Sequence, residues 1–423
     1  ATGAILVVAV AVIGSLTVLP ALLAKLGTWV DRPRVPLLWR LTARSRAPRF
    51  WPAILRPALR RPLVTFVVAV LALLALAAPA LGMKLKFPSD QDIPRTTAVM
   101  QAYDRLTAAY PSTGTSYTIA VRAPADQAAQ VRSALDTLAA RTGTDPLFAT
   151  DELAKPKVSA DGTVSYLDVA TPYAGGSAQA SRALAKLRTD LVPATVGTVS
   201  GAEYAVGGFV AISEDYAHHI AIKLPIVVGV VLLLTFVVMT LTFRSVVVAL
   251  TAIALNLLSA GAAYGLLQVI FGGSWVADLF NFHSINAIVS WLPLFLFVVL
   301  FGLSMDYHVF VVSRIREAVL RGVPTRQAVA DGISSSAGVV TSAAAVMVAV
   351  FAIFATLSTI DMKQLGVGLA AAILIDATII RAVVLPSLMT LLGNANWWAP
   401  RFLRRPVPVA ETREPALAGR SYS

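Results

Sequence analysis

The chain has 423 residues, of which 57% are hydrophobic and 14% are charged, and its mean hydropathy is +0.73. This composition excludes a water-soluble enzyme and is typical of an integral membrane protein. The sequence contains no cysteine, which excludes disulfides, thiolate metal sites and cysteine nucleophiles. The net charge of +12 could suit a nucleic-acid-binding protein. The basic residues cluster beside apolar segments, however, which is the positive-inside bias of membrane proteins, so no nucleic-acid partner is expected.

Apolar segments long enough to cross a bilayer as helices occur seven times. In chain order they are residues 4–26, 63–81, 220–241, 246–271, 291–312, 333–357 and 365–392. Residues rich in Lys and Arg follow Leu26 and occur at Arg244, at 314–326 and at 401–405. Because successive spans cross in opposite directions, all four basic regions fall on one side, which the positive-inside rule makes the cytoplasm.

Residues 83–217 are too polar to cross a membrane and numerous enough to form a domain. A turn is indicated at Asp161-Gly162, and the periodicity predicts helices at 96–110, 125–142 and 177–191 and strands at 116–122 and 163–170. Alternating helices and strands predict small split βαβ units outside the cytoplasm. The predicted fold class is therefore a polytopic α-helical membrane protein with an extracytoplasmic α/β domain.

The first and last spans end in similar sequences, VLPALLAKLG at 18–27 and VLPSLMTLLG at 384–393. Internal repeats are common in transporters, although two leucine-rich helices can also match by chance. We interpret residues 1–27 as the last helix of a preceding repeat, so the chain is expected to be part of a longer protein. The other predicted parts are a basic linker (28–62), a span (63–82), the extracytoplasmic domain (83–217), a five-helix bundle (218–393) and a cytoplasmic, disordered tail (394–423).

An aspartate lies inside the fifth predicted span. Segment 291–312 reaches the ~20 residues that a transmembrane helix needs only if it includes Asp306. A charged side chain at that depth costs about 2.5–3.5 kcal/mol or more, and such residues usually mark ion or proton pathways. The alternative is a protonated carboxyl group that joins packed helices through hydrogen bonds.

Other polar residues recur in the neighbouring spans. Ser335 and Ser342 share one stripe of the sixth span, which Asp306 is expected to contact, although such stripes also serve close helix packing. Asn256 lies in the fourth span. Asp376 lies in the last span, where a static pair with Arg381 is the alternative to a place in a proton path. These residues form a predicted supporting network around Asp306.

The string FGLSMDYHVFVVSRIRE at 301–317 resembles the signature of the MMPL (mycobacterial membrane protein large) proteins, which belong to the RND superfamily of exporters. GVGLA at 366–370 and LIDATIIR at 374–381 are similar to the family's final helix, and the resemblance covers nearly the whole chain. Members have twelve spans in two repeats, each with a porter domain. The resemblance implies an RND-type half-transporter with a porter-like domain.

The resemblance also implies site residues. In the family an Asp-Tyr pair in each half forms a proton relay, and Asp306 and Tyr307 match the pair of the second half. His308 stands where many members have glutamate, so the proton chemistry beside the pair is expected to differ, and His308 joins the supporting network.

The expected function is export of lipids or other hydrophobic molecules, driven by the proton-motive force, across the cell membrane of a bacterium. The alternatives are a drug efflux pump and a non-transporting scaffold or protein-export accessory subunit. No phosphate-binding loop, hydrolase motif or metal motif occurs, so no enzyme activity, cofactor or metal is expected. The expected partners are the substrate, protons, membrane lipids, the N-terminal half and a second copy in a homo-oligomer.

Overall fold

The computed structural model describes residues 2–27, 29, 50–87, 98–109, 115–148, 155–273 and 286–400. The chain forms two compact units, Ala1–Ala53 and Ile54–Ser423. Parts of three predicted regions lie outside the described residues: the basic linker at 28 and 30–49, the extracytoplasmic domain at 88–97, 110–114 and 149–154, and the tail from residue 401. Residues 274–285, before the fifth span, lie outside them too.

The first unit contains one helix long and apolar enough to cross a membrane, Ile5–Leu26. It consists of α1 (Thr2–Ile13), a π-helical turn (Gly14–Val18) and α2 (Leu19–Leu26). Pro20 lacks the N–H that would donate to the preceding turn, and the chain is wound in the π form just before it. The helix ends at Gly27, whose φ of 47° is readily adopted only by glycine.

The second predicted span is confirmed as α4 (Pro62–Ala77) with a 3₁₀ turn (Ala78–Gly82). A short helix, α3 (Phe50–Arg60), precedes it. Thr65 Oγ1 lies 3.0 Å from both Pro57 O and Arg61 O, so it bonds to backbone carbonyls where the two helices meet. Pro62 starts α4 at a position that needs no N–H donor.

The domain at residues 83–217, predicted to be extracytoplasmic and called the extracytoplasmic domain here, has the predicted mixture of helices and strands. Its elements in chain order are β1 (Leu85–Lys86), α5 (Ala98–Ala109), β2 (Thr115–Arg122), α6 (Ala128–Thr142), β3 (Lys157–Val158), β4 (Val164–Thr171), α7 (Ala178–Lys186) and β5 (Glu203–Gly208). A π-helical turn, Leu187–Leu191, extends α7.

The domain is built on a four-stranded sheet with the order β3-β4-β2-β5, and every neighbouring pair is antiparallel. β4 and β5 therefore run parallel on either side of β2, and α7 connects them. β2 and β3 likewise flank β4 and are connected through α6. These are two interleaved split βαβ units, which confirms the predicted topology.

Strand alternation places one face of this sheet in the domain core. Tyr117, Ile119 and Val121 on β2 are buried, and the residues between them are more exposed. Leu135 on α6 and Leu184 on α7 are buried against the same cluster. The helices thus cover the apolar face of the sheet, as a stable α/β layer requires.

The turn predicted at Asp161-Gly162 precedes β4. Ser159 Oγ and Thr163 Oγ1 donate to the Asp161 carboxylate over 2.5 and 2.8 Å, and Gly162 has φ 72°. These hydrogen bonds lower the pKa of Asp161 to about 2. The carboxylate therefore stays ionised and holds the turn closed.

The domain continues directly into the third span. β5 ends at Gly208 and α8 (Phe209–Phe243) begins at the next residue, so one helix carries the chain from the sheet into the membrane segment. Arg188 joins α8 to the domain: Nη1 and Nη2 bind the two oxygens of Asp215 over 2.6 and 2.7 Å, and Nη2 also donates to Val206 O over 3.1 Å. The two-pronged ion pair fixes the start of α8 against the sheet edge.

The five predicted spans after the domain are confirmed as helices of membrane length. They are α8, α9 (Val246–Phe271), α10 (Leu292–Leu320), α11 (Thr325–Phe354) and a composite last span of α12 (Ile360–Ile375), a π-helical segment (Asp376–Val384) and α13 (Leu385–Leu392). α9 lies centrally and contacts α4, α8, α10 and α12.

Hydrogen bonds join the ends of the bundle that carry the basic residues. Ser245, between α8 and α9, donates to Asn396 O over 2.5 Å, and Thr325 at the start of α11 donates to Asn394 over 3.1 Å. Arg326 Nη2 donates to Leu59 O over 2.5 Å. Among the described residues, the predicted basic regions of the second unit therefore meet at one end of the bundle.

Residues 394–400, predicted to belong to a disordered tail, are instead packed on the bundle. Gly393–Trp397 form a 3₁₀ turn, and the buried Asn396 donates from Nδ2 to Met389 O over 2.7 Å. The sequence did not indicate this order because the segment is short and lacks periodicity.

The opposite end of the bundle is closed by a small parallel sheet. β1 pairs with β6 (Ile288–Val289), which lies just before α10. Gln364 on α12 accepts from Val289 N over 2.9 Å and donates to Ala287 O over 2.8 Å. A single buried amide thus ties the last span to the strand.

Candidate functional site

A buried polar cluster lies inside the bundle where α9, α10 and the last span meet. It contains Asn256 on α9, Ser304 on α10, and Asp376 and Arg381 on the last span, and each of these residues is at most 9% exposed. Four polar groups at this depth in apolar helices must satisfy one another, because lipid offers no hydrogen bonds.

The π-helical winding of the last span places Asp376 and Arg381 on one face. In an α-helix, residues five apart are separated by about 140° around the axis, at 3.6 residues per turn. The i→i+5 winding of Asp376–Val384 brings them into line. Arg381 Nη2 binds Asp376 Oδ2 over 2.5 Å and also donates to Ser304 O over 2.8 Å. The ion pair that the sequence left as an alternative is therefore present.

Ser304 connects this ion pair to Asn256. Its Oγ lies 2.9 Å from Asp376 Oδ2 and 2.7 Å from Asn256 Oδ1. A hydroxyl has one proton, so Ser304 cannot donate fully to both acceptors, whereas Asn256 Nδ2 is buried without a partner. Turning the amide so that Nδ2 donates to Ser304 resolves both problems, since amide orientation follows from the hydrogen-bond network. Ser304 then donates to the carboxylate of Asp376.

Tyr307 extends the cluster toward α11. Its ring lies under the Arg381 guanidinium, with 4.7 Å between Cζ and the ring centroid, and its hydroxyl donates to Met347 Sδ over 3.3 Å. A guanidinium over an aromatic face is an attractive cation–π contact. Tyr307 is thus held between the buried ion pair and the neighbouring helix.

Asp306 lies on a different side of α10 from this cluster. Its side chain is exposed, and within the described part of the chain it has no hydrogen-bond or ion-pair partner. Ser335 and Ser342 donate to Gly332 O and Val339 O of their own helix, so the structure does not show the expected contact with Asp306. Hydroxyl groups in helices often bond to the preceding turn in this way, which satisfies them without a second helix.

The sequence-predicted residues therefore fall into two groups. Asn256, Asp376 and Tyr307 belong to the cluster around Arg381, while Asp306, Ser335 and Ser342 are exposed. His308 is 2% exposed and lies one turn beyond Ser304 on the inner face of α10.

Ser304 and Met347 were not predicted. Ser304, His308, Val311 and Ile315 recur at helical spacing and form one buried face of α10. This spacing in the sequence could have indicated that Ser304 points into the bundle. A methionine carries no such signal, because its role as an acceptor depends only on where Tyr307 reaches.

The cluster borders a small cavity. The volume of the cavity is about 20 Å³, and its lining includes Asn256, Ser304, Asp376 and Arg381. Arg381 Nε and Nη1 are buried without partners among the described residues. A cavity of this size with several polar groups can hold one water molecule, which would satisfy the remaining donors.

Comparison with known proteins agrees with this architecture. The model of the MMPL family matches residues 69–409. The mycolic acid-containing lipids exporter MmpL11 of Mycolicibacterium smegmatis is 35% identical over 98% of this chain and 43% of its own length. The heme uptake protein MmpL11 of Mycobacterium tuberculosis is 33% identical over 98% and 42%. The trehalose monomycolate exporter MmpL3 of the same species is 31% identical over 92% and 44%.

The chain thus spans less than half the length of these relatives. The family match nevertheless includes α9, α10 and the whole last span, which carry the buried cluster. A match of this extent identifies the chain as a member of the MMPL family of membrane transporters.

Proposed function

We propose that this chain is one half of a proton-driven exporter of lipids or other hydrophobic molecules in the cytoplasmic membrane of a bacterium. The observation that carries the proposal is Asp306, a carboxylate within the apolar helix α10 and directly beside Tyr307. Carboxylates in such positions are costly and usually serve ion or proton movement.

The exposed face around Asp306 supports a partner in the membrane. Gly302, one turn before Asp306, is also exposed, and a Cβ there would meet nothing within 4 Å. A charge that faced lipid would be costly, so this face needs cover by protein or water. Relatives more than twice as long have a further half that could provide it.

In the proposed mechanism Asp306 takes up and releases the proton. Protonation removes the charge and changes the free energy of packing this face of α10 against its neighbour. Tyr307 follows Asp306 in the sequence and contacts both Arg381 and Met347. Movement of α10 would therefore be transmitted to the last span and to α11. The buried ion pair serves as a fixed point because Arg381 also binds the backbone of α10 at Ser304.

The movement would reach the extracytoplasmic domain through α8. This helix packs beside α10 and is continuous with β5, and Arg188 binds both Asp215 and Val206 O. Domain and helix would therefore move together, which opens or closes a path for the cargo.

The names of the relatives support a lipid cargo. Two are exporters, of mycolic acid-containing lipids and of trehalose monomycolate, and another is described as a heme uptake protein. All three cargoes are large and partly or wholly hydrophobic. We propose a hydrophobic, lipid-like substrate and export as the direction.

The test is transport by full-length protein reconstituted in vesicles with an imposed pH gradient and a fluorescent mycolate-type lipid. Asp306→Asn keeps the shape but cannot ionise, so we expect gradient-driven transport to fall to the level of empty vesicles. Asp190→Asn, at an exposed carboxylate of the extracytoplasmic domain, is the matched control and should transport normally.

Two outcomes would contradict proton coupling through Asp306, and a third would contradict the lipid substrate. Normal transport by a well-folded Asp306→Asn protein would make Asp306 a packing residue. If the wild-type protein still transported lipid after a protonophore had collapsed the pH gradient, proton coupling would be excluded. If the protein transported heme or a drug but no lipid, the proposed substrate class would be wrong, whereas proton coupling would still hold.

A further inference from the structure

The helix α3 is amphipathic and carries arginines on its exposed side. Leu55 and Ala58 are 3% and 0% exposed, whereas Arg56 and Arg60 are exposed. Arg56 and Arg60 are four residues apart and therefore lie above one another on the same face of the helix. One side of α3 is thus packed on protein, and the other presents two guanidinium groups to the surroundings.

The position of α3 places these arginines at the membrane surface. Arg60 is the last residue of α3, Arg61 follows, and the second span starts at Pro62. Arg326 of α11 donates to Leu59 O over 2.5 Å, which brings a further guanidinium to the end of α3. The arginines therefore lie at the level where a helix leaves the hydrocarbon and lipid headgroups begin.

Carboxylates do not neutralise this group, which consists of Arg56, Arg60, Arg61 and Arg326 and is called here the α3 basic surface. Within the described part of the chain none of the four forms an ion pair. Arg314 and Arg321, at the same end of the bundle, behave differently because both bind Glu317, over 3.2 and 3.0 Å. The lack of carboxylate partners is thus a property of the α3 basic surface and not of every arginine at this end.

We propose that the α3 basic surface binds the phosphate groups of anionic phospholipids in the adjacent leaflet. Guanidinium groups pair with phosphate through two parallel hydrogen bonds, and clusters of basic residues on an amphipathic helix favour anionic lipid. The buried side of α3 fixes the arginines at headgroup level. A lipid phosphate is already held at this level by the bilayer, whereas a soluble anion must bind from dilute solution, so the lipid is the favoured ligand. The site does not depend on the proposed transport function.

The test compares lipid binding by two charge-matched double variants of the full-length protein. Purified protein in neutral detergent is titrated with phosphatidylglycerol or phosphatidylcholine, and bound lipid is counted by native mass spectrometry. We expect Arg56→Gln/Arg60→Gln to weaken phosphatidylglycerol binding about tenfold and to leave phosphatidylcholine binding unchanged. Arg314→Gln/Arg321→Gln removes the same charge from arginines that Glu317 already pairs, and should bind phosphatidylglycerol like the wild type.

Each other result decides against the site. Equal losses in the two double variants would mean that only the total charge attracts the lipid. Unchanged binding in Arg56→Gln/Arg60→Gln, with an unchanged thermal midpoint, would exclude the α3 basic surface. Displacement of phosphatidylglycerol by inorganic phosphate at equal concentration would identify a free-anion site instead of a lipid site.

Discussion

Ser304 has a single hydroxyl proton, and the direction of that proton determines how the buried cluster is held together. If Asn256 donates to Ser304 and Ser304 donates to Asp376, each of these two hydrogen bonds has one donor and one acceptor, and Asp376 also accepts from Arg381. The chain of donors then points toward the ion pair. Ser304 is the central member, since both neighbours depend on it.

This order of donors predicts unequal effects of two substitutions. Ser304→Ala removes two hydrogen bonds. Asn256 loses its partner, at about 1–3 kcal/mol for a buried group left unpaired, and Asp376 keeps Arg381 but loses the bond from Ser304. In Asn256→Leu the new side chain is similar in size to asparagine, and Ser304 can still donate to Asp376. We therefore expect Ser304→Ala to lower the unfolding temperature of detergent-purified protein more than Asn256→Leu does.

The double variant completes the cycle. Because both changes remove the same hydrogen bond, we expect the loss in Asn256→Leu/Ser304→Ala to be smaller than the sum of the single losses. Additive losses would show that Asn256 and Ser304 do not interact. A larger loss in Asn256→Leu than in Ser304→Ala would reverse the order of donors.

At the scale of elements, α9 approaches the end of α4 so closely that only glycine fits between them. A Cβ on Gly265 would lie 1.8 Å from Leu76 O and 2.9 Å from Ala77 Cα. These are backbone atoms, so no rotamer change can make room. The contact brings the two spans together next to the 3₁₀ turn that ends the second span.

Two glycine substitutions test this contact. In a helix interior Gly→Ala normally stabilises by about 1 kcal/mol. At Gly229, where a Cβ meets nothing within 4 Å, we expect that small gain. At Gly265 we expect the sign to reverse, with a loss of about 1–3 kcal/mol or more from overpacking. Thermal unfolding in detergent measures both, and equal behaviour of the two variants would mean that α4 and α9 can separate at no cost.

An ion pair joins the segment after α6 to α7 in the extracytoplasmic domain. Lys186 Nζ binds Asp145 Oδ2, and Leu147 N donates to Asp145 Oδ1 over 3.0 Å. Burial acts to raise the pKa of Asp145, but these hydrogen bonds and the Lys186 charge outweigh it, so the pKa lies below its usual value.

The lowered pKa of Asp145 gives a pH dependence with a defined sign. A carboxyl whose pKa is lower in the folded state stabilises the fold above its unfolded pKa of about 3.9, and the stabilisation is lost as the pH falls through the folded pKa. Asp145→Asn should therefore lower the unfolding temperature of the domain at pH 7 and lower it by less near pH 3, where the stabilisation has begun to fall. Asp136→Asn, at an exposed position, is the control. An equal effect of Asp145→Asn at both pH values would contradict the ion-pair explanation.

Elements with a strong sequence pattern could be predicted, and those set by local winding could not. The seven spans and the split βαβ units follow from apolar length and from period-two or period-3.6 patterns, as at β2. The π-helical segment Asp376–Val384 has no such pattern, yet it alone aligns Asp376 with Arg381. The sequence therefore indicated the residues of the cluster but not their geometry, and it placed Asp306 beside a serine stripe that bonds to its own helix.

At the scale of the whole chain, the repeat seen in the sequence is also a repeat of conformation. In each copy a π-helical segment precedes a short α-helix with a proline at its second residue. Gly27 and Gly393 end the two copies with φ of 47° and 51°. Aligned on these glycines, Asp376 and Arg381 correspond to Val10 and Ser15, so the first copy lacks the ion pair. The two copies share a backbone course and differ in chemistry.

The membrane orientation of the second unit is the last prediction. Hydrogen bonds gather the basic ends of α3, α8 and α11 at one end of the bundle, and the positive-inside rule assigns that end to the cytoplasm. The extracytoplasmic domain must then lie across the membrane. Because the chain has no cysteine, Leu320→Cys at the basic end and Ser200→Cys in the domain can each be labelled alone, in full-length protein free of other cysteines.

Both positions are exposed, so a membrane-impermeant maleimide reports only the side on which each lies. In intact cells we expect Ser200→Cys to be labelled and Leu320→Cys to be protected, and in inverted vesicles we expect the opposite. Ser200→Cys and Leu320→Cys that label from the same side would require an additional crossing between the domain and α10. Labelling of Leu320→Cys from outside, with Ser200→Cys protected, would reverse the orientation and place the basic end against the outer leaflet.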